Sequence, residues 1–599
     1  PARPGGARAP PASAAMASGA IEGISLATRL GDIWEKVGAG YTVVKGLLPG
    51  GAFQLTKADV RGQELKVFKN LPPALGDYYR HWLKQYAGKD FFIYQDERHT
   101  FGQVQAQLDA LGAELMASFG VKRGDKVGIA MRNLPEYMIA FLAITACGAV
   151  AVPLNSMWGA SELEYAVKDS GAKVLIADTA RLKLCQPFLS TLGVTAILVR
   201  GDAAKAQEMG ATATWADVLK AGSARPVPST AGILPEDEAM LMYTSGSTGF
   251  PKGVVHTQRS VGTCMKVGEL ASAIIPDPDP RVLLAVPLFH ITALAMVFLW
   301  CVPSGTSLYI INRWDAGEAL KVISENKITR FTGVPTMIKD MMDHPTFTPE
   351  KVKTIKSMAA GGAPVPPSQV DQLHKATGRA ASTQGYGLTE AHIATMNKGV
   401  DYLKHPKSCG KAIPFLVELQ VQDPDGKALP DGERGELCIR SAMLMSRYHN
   451  RPEDTAKVLD SKGFFHSGDV AKIEGGFVYI LDRLKDLIIR GGENIDCSEV
   501  EAAMYTHPAV RECSVFGLPD ERLGEVVGCT VYWQGDQAPT TADLSAHAAS
   551  KLAKYKVPLA EHIFLLTEAL PKGATGKIDK KGMRETYSAM VKGPPASKL

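Results

Sequence analysis

The stretch YTSGSTGFPKGVVHT, Tyr243 to Thr257, concentrates residue types that could do chemistry within a 599-residue chain. An apolar strand leads into a loop where Thr244, Ser245, Ser247 and Thr248 alternate with Gly246 and Gly249, and Lys252 and Gly253 close it. Glycine lets backbone amides turn inward, hydroxyls add donors and one lysine supplies charge, which together is what a polyphosphate requires. The order is not that of a Walker loop, because Phe250 and Pro251 precede Lys252 and no Ser or Thr follows it. The GxSxG nucleophile elbow does not fit the register either. Taken alone, a Gly/Ser loop is an ordinary turn and its lysine an ordinary solvated charge.

Parallel strands joined by helices must hold such a loop. VGIAMR precedes the helical run PEYMIAFLAITACG, AVPLN follows, and SELEYAVKDSG leads into KVLIAD. This strand–helix–strand rhythm, with apolar strands that lack polar alternation, predicts an α/β fold with parallel-rich sheets. A linker-like GSARPVPSTAG, Gly222 to Gly232, precedes the strand AMLMYT. Further on, VELQVQD, GELCIRS and GFVYILD are separated by turns at Asp425-Gly426 and Gly475-Gly476, which suits an antiparallel, β-rich subdomain. From Asp482 onward SEVEAAMYTH and TADLSAHAASKLAKY read as helices, and RECSVFGL and VVGCTVYW as strands, giving a small α+β C-terminal domain. The expected division is a leader at 1–20, a large domain at 21–481 and a small domain at 482–599.

Composition excludes several classes. Apolar residues make up 45% and charged residues 21%, so the chain can bury large cores. Lys+Arg 66 against Asp+Glu 62 leaves +4, too even a balance to suggest a nucleic-acid partner. The nine cysteines are scattered without a CxxC pair, as expected for buried reduced thiols inside a cell. Residues 282 to 312 carry no charge, but Pro287, His290, Pro303 and Gly305 interrupt them. Buried strands flanking a helix are therefore expected there, and no transmembrane segment. The first 20 residues hold eight Ala, four Pro and two Arg and no acid, which fits a disordered tail or an organellar transit peptide. Met16 is also a possible start of translation. Cytoplasmic residence is the simpler expectation, and monomer and homodimer both remain open.

The loop is one of several motifs in a fixed order. PLFH (287–290), GGAP (361–364), QGYGLTE (384–390), GELCIR (435–440), HSGD (466–469), DRLKDLIIRGGENI (482–495) and PKGATGKI (571–578) follow it. Together they resemble the adenylate-forming superfamily of acyl-CoA ligases, luciferases and peptide-synthetase adenylation domains, across about residues 95 to 580. The resemblance implies that a carboxylate attacks the α-phosphate of ATP, and that a thiol, usually of coenzyme A, then displaces AMP.

It also implies roles. Thr244, Ser245, Gly246, Ser247, Thr248, Gly249 and Lys252 would cradle the phosphates, and Glu390 and Thr244 would hold Mg²⁺, a hard cation preferring oxygen ligands. Thr389 would touch the α-phosphate. Gly361, Gly362 and Ala363 would cover one face of adenine and Tyr386 the other, within Gln384-Gly385-Tyr386-Gly387. Asp469 would accept from the ribose hydroxyls and Arg483 would reach the ribose or phosphate. Lys577 would stabilise the first transition state, and Lys485 would be the hinge that exchanges it for Gly491 and Gly492. His290 would line the acyl pocket or assist thioester formation; without the motif, a lone histidine among apolar residues is ordinary core.

The segments corresponding to the acyl pocket supply Ile291, Met296, Phe331, Val334, Met337, Leu388, Ile393 and Met396. No Lys or Arg is present there to bind a second carboxylate. A medium- or long-chain fatty acid is the expected substrate and coenzyme A the expected acceptor. An aryl or coumarate-type acid is the alternative, as is loading of a carrier protein in trans.

Overall fold

The computed structural model describes residues 45–48, 50–244, 251–274, 276–361, 367–378, 381–491, 493–535, 537–573 and 578–592. The large domain contains two sheets of mixed direction. The first runs Arg447–Tyr448, Lys252–Thr257, Glu238–Thr244, Val150–Pro153, Lys126–Ala130, Val174–Asp178, Thr195–Val199 and Ala213–Thr214. Its first three strands pair antiparallel and the rest parallel. The second has nine strands, with a parallel centre of Ser382–Tyr386, Ser357–Ala360, Arg330–Gly333, Arg281–Leu284 and Ser307–Ile310. Strand Thr395–Lys398 folds back antiparallel on Ser382–Tyr386.

The helix Pro135–Ala146 shows why the charge-free stretches do not mark membrane spans. It is buried at nearly every position within the largest hydrophobic cluster, so it has no polar face to present. The second stretch divides into strand Arg281–Leu284, a π-helix at Thr292–Leu299, a short helix Trp300–Ser304 and strand Ser307–Ile310. The expected strand–helix–strand arrangement is therefore present. The π-helical pitch was not anticipated, because i→i+5 bonding is set by packing rather than by residue pattern. No helix among the described residues is long and apolar enough to cross a membrane.

Strands Val417–Gln422, Arg434–Ser441, Phe465–Glu474 and Phe477–Arg483 form the antiparallel third sheet. The small C-terminal domain has its own sheet, built on the long hairpin Val510–Asp520 and Gly524–Trp533, and its own apolar core. Its helix Cys497–Met504 matches expectation, whereas the later one covers only Thr541–Ala549 and ends short of the predicted LAKY. Leu552 and Tyr555, just beyond that end, turn back onto the core.

Candidate functional site

The phosphate-type loop connects an antiparallel hairpin. Thr244 lies opposite Lys252 and Tyr243 opposite Gly253, so the strands set the loop's two feet at one level. Residues 245–250, and with them Ser245, Gly246, Ser247, Thr248 and Gly249, lie outside the described residues. At the foot, Thr244 Oγ1 donates to the Lys252 carbonyl over 3.4 Å. Gly253 has no room for a side chain: a Cβ would lie 2.7 Å from Leu241 Cδ1 and 3.1 Å from His449 Cβ. Lys252 Nζ sits 2.9 Å from Asp454 Oδ2 and 5.3 Å from the centre of the Tyr448 ring. This lysine holds the Asp454 carboxyl below its ordinary range.

Thr389 and Glu390 lie at the tip between Ser382–Tyr386 and Thr395–Lys398, and backbone contacts clamp that tip from two sides. Met445 N donates to the Glu390 carbonyl over 2.7 Å, and His256 Nε2 lies 2.7 Å from the Thr389 carbonyl. That acceptor makes Nε2 the protonated nitrogen of His256. Behind it, His392 packs edge-on at 4.1 Å between ring centres, with its Nδ1 2.9 Å from the Met443 carbonyl. Burial pushes His256 well below its ordinary value and His392 down to about 4, so both rings are neutral near pH 7. Gly387 is required by close approach, since a Cβ there would be 1.9 Å from the His392 carbonyl.

The Glu390 side chain accepts from the Tyr448 hydroxyl at 2.7 Å. Burial pushes its carboxyl above the ordinary carboxylate range, and the Tyr448 bond and Arg483 only partly offset this. Among the described residues Glu390 has no ion-pair partner. A desolvated carboxylate without a cation of its own fits a divalent ion.

A second group gathers on the third sheet. Asp469, buried opposite Arg483 in the strand register, accepts from Tyr386 at 2.5 Å and pairs with Arg483 Nε at 3.3 Å. Glu436 holds the strand segment carrying Asp469, with Gly468 N on one oxygen at 2.8 Å and His466 Nδ1 on the other at 2.8 Å. Cys438 Sγ is 3.5 Å from the same His466 nitrogen, but burial pushes that thiol up to about 12. The trio is thus bonded internally and acts as a brace.

The remaining predicted residues are placed as follows. Gly361 ends strand Ser357–Ala360, and its N–H bonds the Gly333 carbonyl over 3.1 Å. Gln384 accepts from Tyr402 at 2.8 Å, and Gly385 pairs with Met396 across the strands. His290 lies just before the π-helix, with Nδ1 3.4 Å from Thr292 N. Lys485 is exposed in the turn after strand Phe477–Arg483. Gly491, at φ +58°, donates its N–H to the Leu523 carbonyl over 2.7 Å within the small domain. Gly362, Ala363, Gly492 and Lys577 lie outside the described residues.

The structure thus unites Tyr386, Asp469 and Arg483 directly, and links Lys252 to Glu390 through Tyr448. Sequence reasoning missed Tyr448, Asp454, His256 and His392. Their partners are distant in sequence, and nothing local distinguishes them from ordinary structural residues.

Similarity to known proteins extends over most of the chain. The AMP-binding enzyme profile matches residues 79–449 and the AMP-binding enzyme C-terminal domain profile residues 499–577. A feruloyl-CoA synthase from an Amycolatopsis species is 35% identical over 495 residues, covering 82% of this chain and 94% of that one. A long-chain-fatty-acid–CoA ligase of Mycobacterium tuberculosis is 33% identical over 505 residues, covering 83% and 94%. Among solved structures, ATP-bound MatB from Rhodopseudomonas palustris superposes with a TM-score of 0.76 at 25% identity, covering 86% and 99%.

Proposed function

The chain belongs to the AMP-binding enzyme family as an AMP-forming acyl-CoA ligase using ATP, Mg²⁺ and coenzyme A, and from that premise we propose that its acid is a medium- or long-chain fatty monocarboxylate. The observation that carries this reading is the uncharged character of the segments that correspond to the family's acyl pocket. Ile291, Phe331, Val334, Met337 and Ile393 are buried, and Met296, Leu388 and Met396 are half-buried against the core. Such a surface rewards each added methylene and leaves a second carboxylate without a partner. An aryl acid is the second reading. It is favoured by the relative named feruloyl-CoA synthase, and the Trp314 ring stacked 6.0 Å from Phe331 would suit it.

Each site residue then takes one task. Lys252 and Thr244, with the loop between them, bind the terminal phosphates. Glu390 holds magnesium, which when bound neutralises charge on the phosphates. Tyr386 faces adenine, its hydroxyl tied to Asp469, while Asp469 accepts from the ribose hydroxyls and Arg483 steadies it. The acid's oxygen bonds to the α-phosphorus as the phosphorus–oxygen bond to pyrophosphate breaks. The thiol sulfur then bonds to the acyl carbon as AMP leaves, and the thiol proton passes to solvent. Lys577 belongs to the first step: Lys577→Ala should abolish pyrophosphate exchange yet spare thioester formation from synthetic acyl-adenylate.

Pyrophosphate release by the purified protein, measured across straight-chain acids of graded length and across ferulate and coumarate with coenzyme A present or omitted, tests the substrate. Release that rises with chain length supports the fatty reading. A preference for ferulate transfers the assignment to the aryl reading, and a preference for dicarboxylates removes both. Thioester formed on a carrier protein but not on coenzyme A would move the acceptor.

A further inference from the structure

We propose that Tyr448 is a positioning residue with two faces, its hydroxyl aiming the metal-binding carboxylate of Glu390 and its ring seating the phosphate-binding ammonium of Lys252. The proposal rests on the reading of Glu390 and Lys252 given above.

The argument starts from strand register. Arg447–Tyr448 is the edge strand beside Lys252–Thr257, with Tyr448 opposite Val254. Side chains two residues apart on a strand share a face, so Lys252 is the diagonal neighbour of Tyr448. The ammonium duly lies 5.3 Å from the ring centre, inside the range where a ring face attracts a cation. The ring is itself fixed, because Tyr448 is buried and its backbone N–H donates to Thr455 Oγ1 over 2.9 Å. Thr455 belongs to the helix Pro452–Val458, which also presents Asp454 to Lys252.

The far end of the same ring carries the hydroxyl, 2.7 Å from Glu390 Oε1. A phenol hydroxyl facing a carboxylate oxygen donates to it. A carboxylate with one oxygen pinned has one direction left for the other. Ligand-orienting hydrogen bonds of this kind are worth about 10–100-fold in metal affinity. One side chain therefore spans the distance between the two groups that must meet a triphosphate and its cation.

Substitutions separate the two faces. Tyr448→Phe keeps the ring and loses the hydroxyl; Tyr448→Leu loses both. Calorimetry on the full-length protein measures ATP affinity in EDTA and in excess Mg²⁺, with thermal unfolding recorded in parallel. Tyr448→Phe should bind metal-free ATP within about twofold of the parent but lose about tenfold of the affinity gained from Mg²⁺. Tyr448→Leu should additionally weaken metal-free ATP by about two- to fivefold. A wild-type Mg²⁺ increment in Tyr448→Phe overturns the hydroxyl's role, and equal metal-free binding in both variants overturns the ring's. Equal loss from both variants with and without metal, together with a lowered melting temperature, means a structural residue only and also overturns the proposal. Glu390→Gln is measured alongside. If it abolishes the increment while Tyr448→Phe does not, the proposal fails and the reading of Glu390 stands. If Glu390→Gln keeps the increment, that reading fails.

Discussion

His392 occupies the left-handed region at φ +55°, which a side chain adopts only where its surroundings insist. What insists is the tip it closes, where its carbonyl lies against Gly387 and its ring against His256. Burial lowers its pKa to about 4, so below the ordinary histidine value the unfolded chain takes up a proton that the folded one refuses. The unfolded state then binds more protons, stability rises with pH, and the loss falls between about pH 6.5 and pH 4. From pH 7 to pH 5 this one ring should cost about 2 kcal/mol. His392→Asn keeps a residue that tolerates left-handed backbone and removes the titration. Urea unfolding at both pH values should show a pH-dependent loss smaller in His392→Asn by about that amount; identical losses would mean that the ring is not held neutral.

At the scale of the element, strand Lys252–Thr257 carries Lys252 at one end and His256 near the other, so it ties the phosphate foot to the Thr389–Glu390 tip. His256→Leu leaves the Thr389 carbonyl without its donor, which should cost about 1–3 kcal/mol and slow adenylation. His256→Gln can still donate and should recover part of both. If Leu and Gln behave alike in denaturant melts and in pyrophosphate exchange, the bond does not orient the tip. Much of this architecture was legible in sequence because it is local. The rhythm from VGIAMR to KVLIAD specifies parallel strands, and Asp425-Gly426 and Gly475-Gly476 mark turns of the antiparallel sheet. The tip's clamps were not legible. His256 meets a carbonyl 133 residues away and Tyr448 a carboxylate 58 residues away, distances over which residue type and spacing carry no signal. The π-helix escaped notice for a related reason, its apolar run fitting any buried helix.

At the scale of the molecule, a large body and a small domain with a separate core are joined through the turn at residues 484–487. Around that turn the small domain's first helix rests on the body: Cys497 N bonds Asp482, Ser498 Oγ bonds the Leu481 carbonyl, and Arg434 reaches Asp496 at 2.7 and 3.0 Å. Among the described residues these polar contacts lie close to the turn, and a docking held there suits a domain that presents different faces in succession. Among the described residues the backbone N–H groups bonded at the turn are those of Leu484, Asp486 and Leu487, so proline at 485 removes none of those bonds. Proline would also restrict Leu484 and thereby stiffen the turn. Lys485→Pro should therefore retain most pyrophosphate exchange while thioester formation from synthetic acyl-adenylate falls by about tenfold or more. Arg434→Ala acts in the opposite sense, releasing the docked helix, and should speed proteolytic cleavage at 484–487 without stiffening the turn. Equal loss of both half-reactions in Lys485→Pro would place the turn in general stability. Unequal loss, with Arg434→Ala more open to protease, would make the turn the point where one reaction gives way to the next.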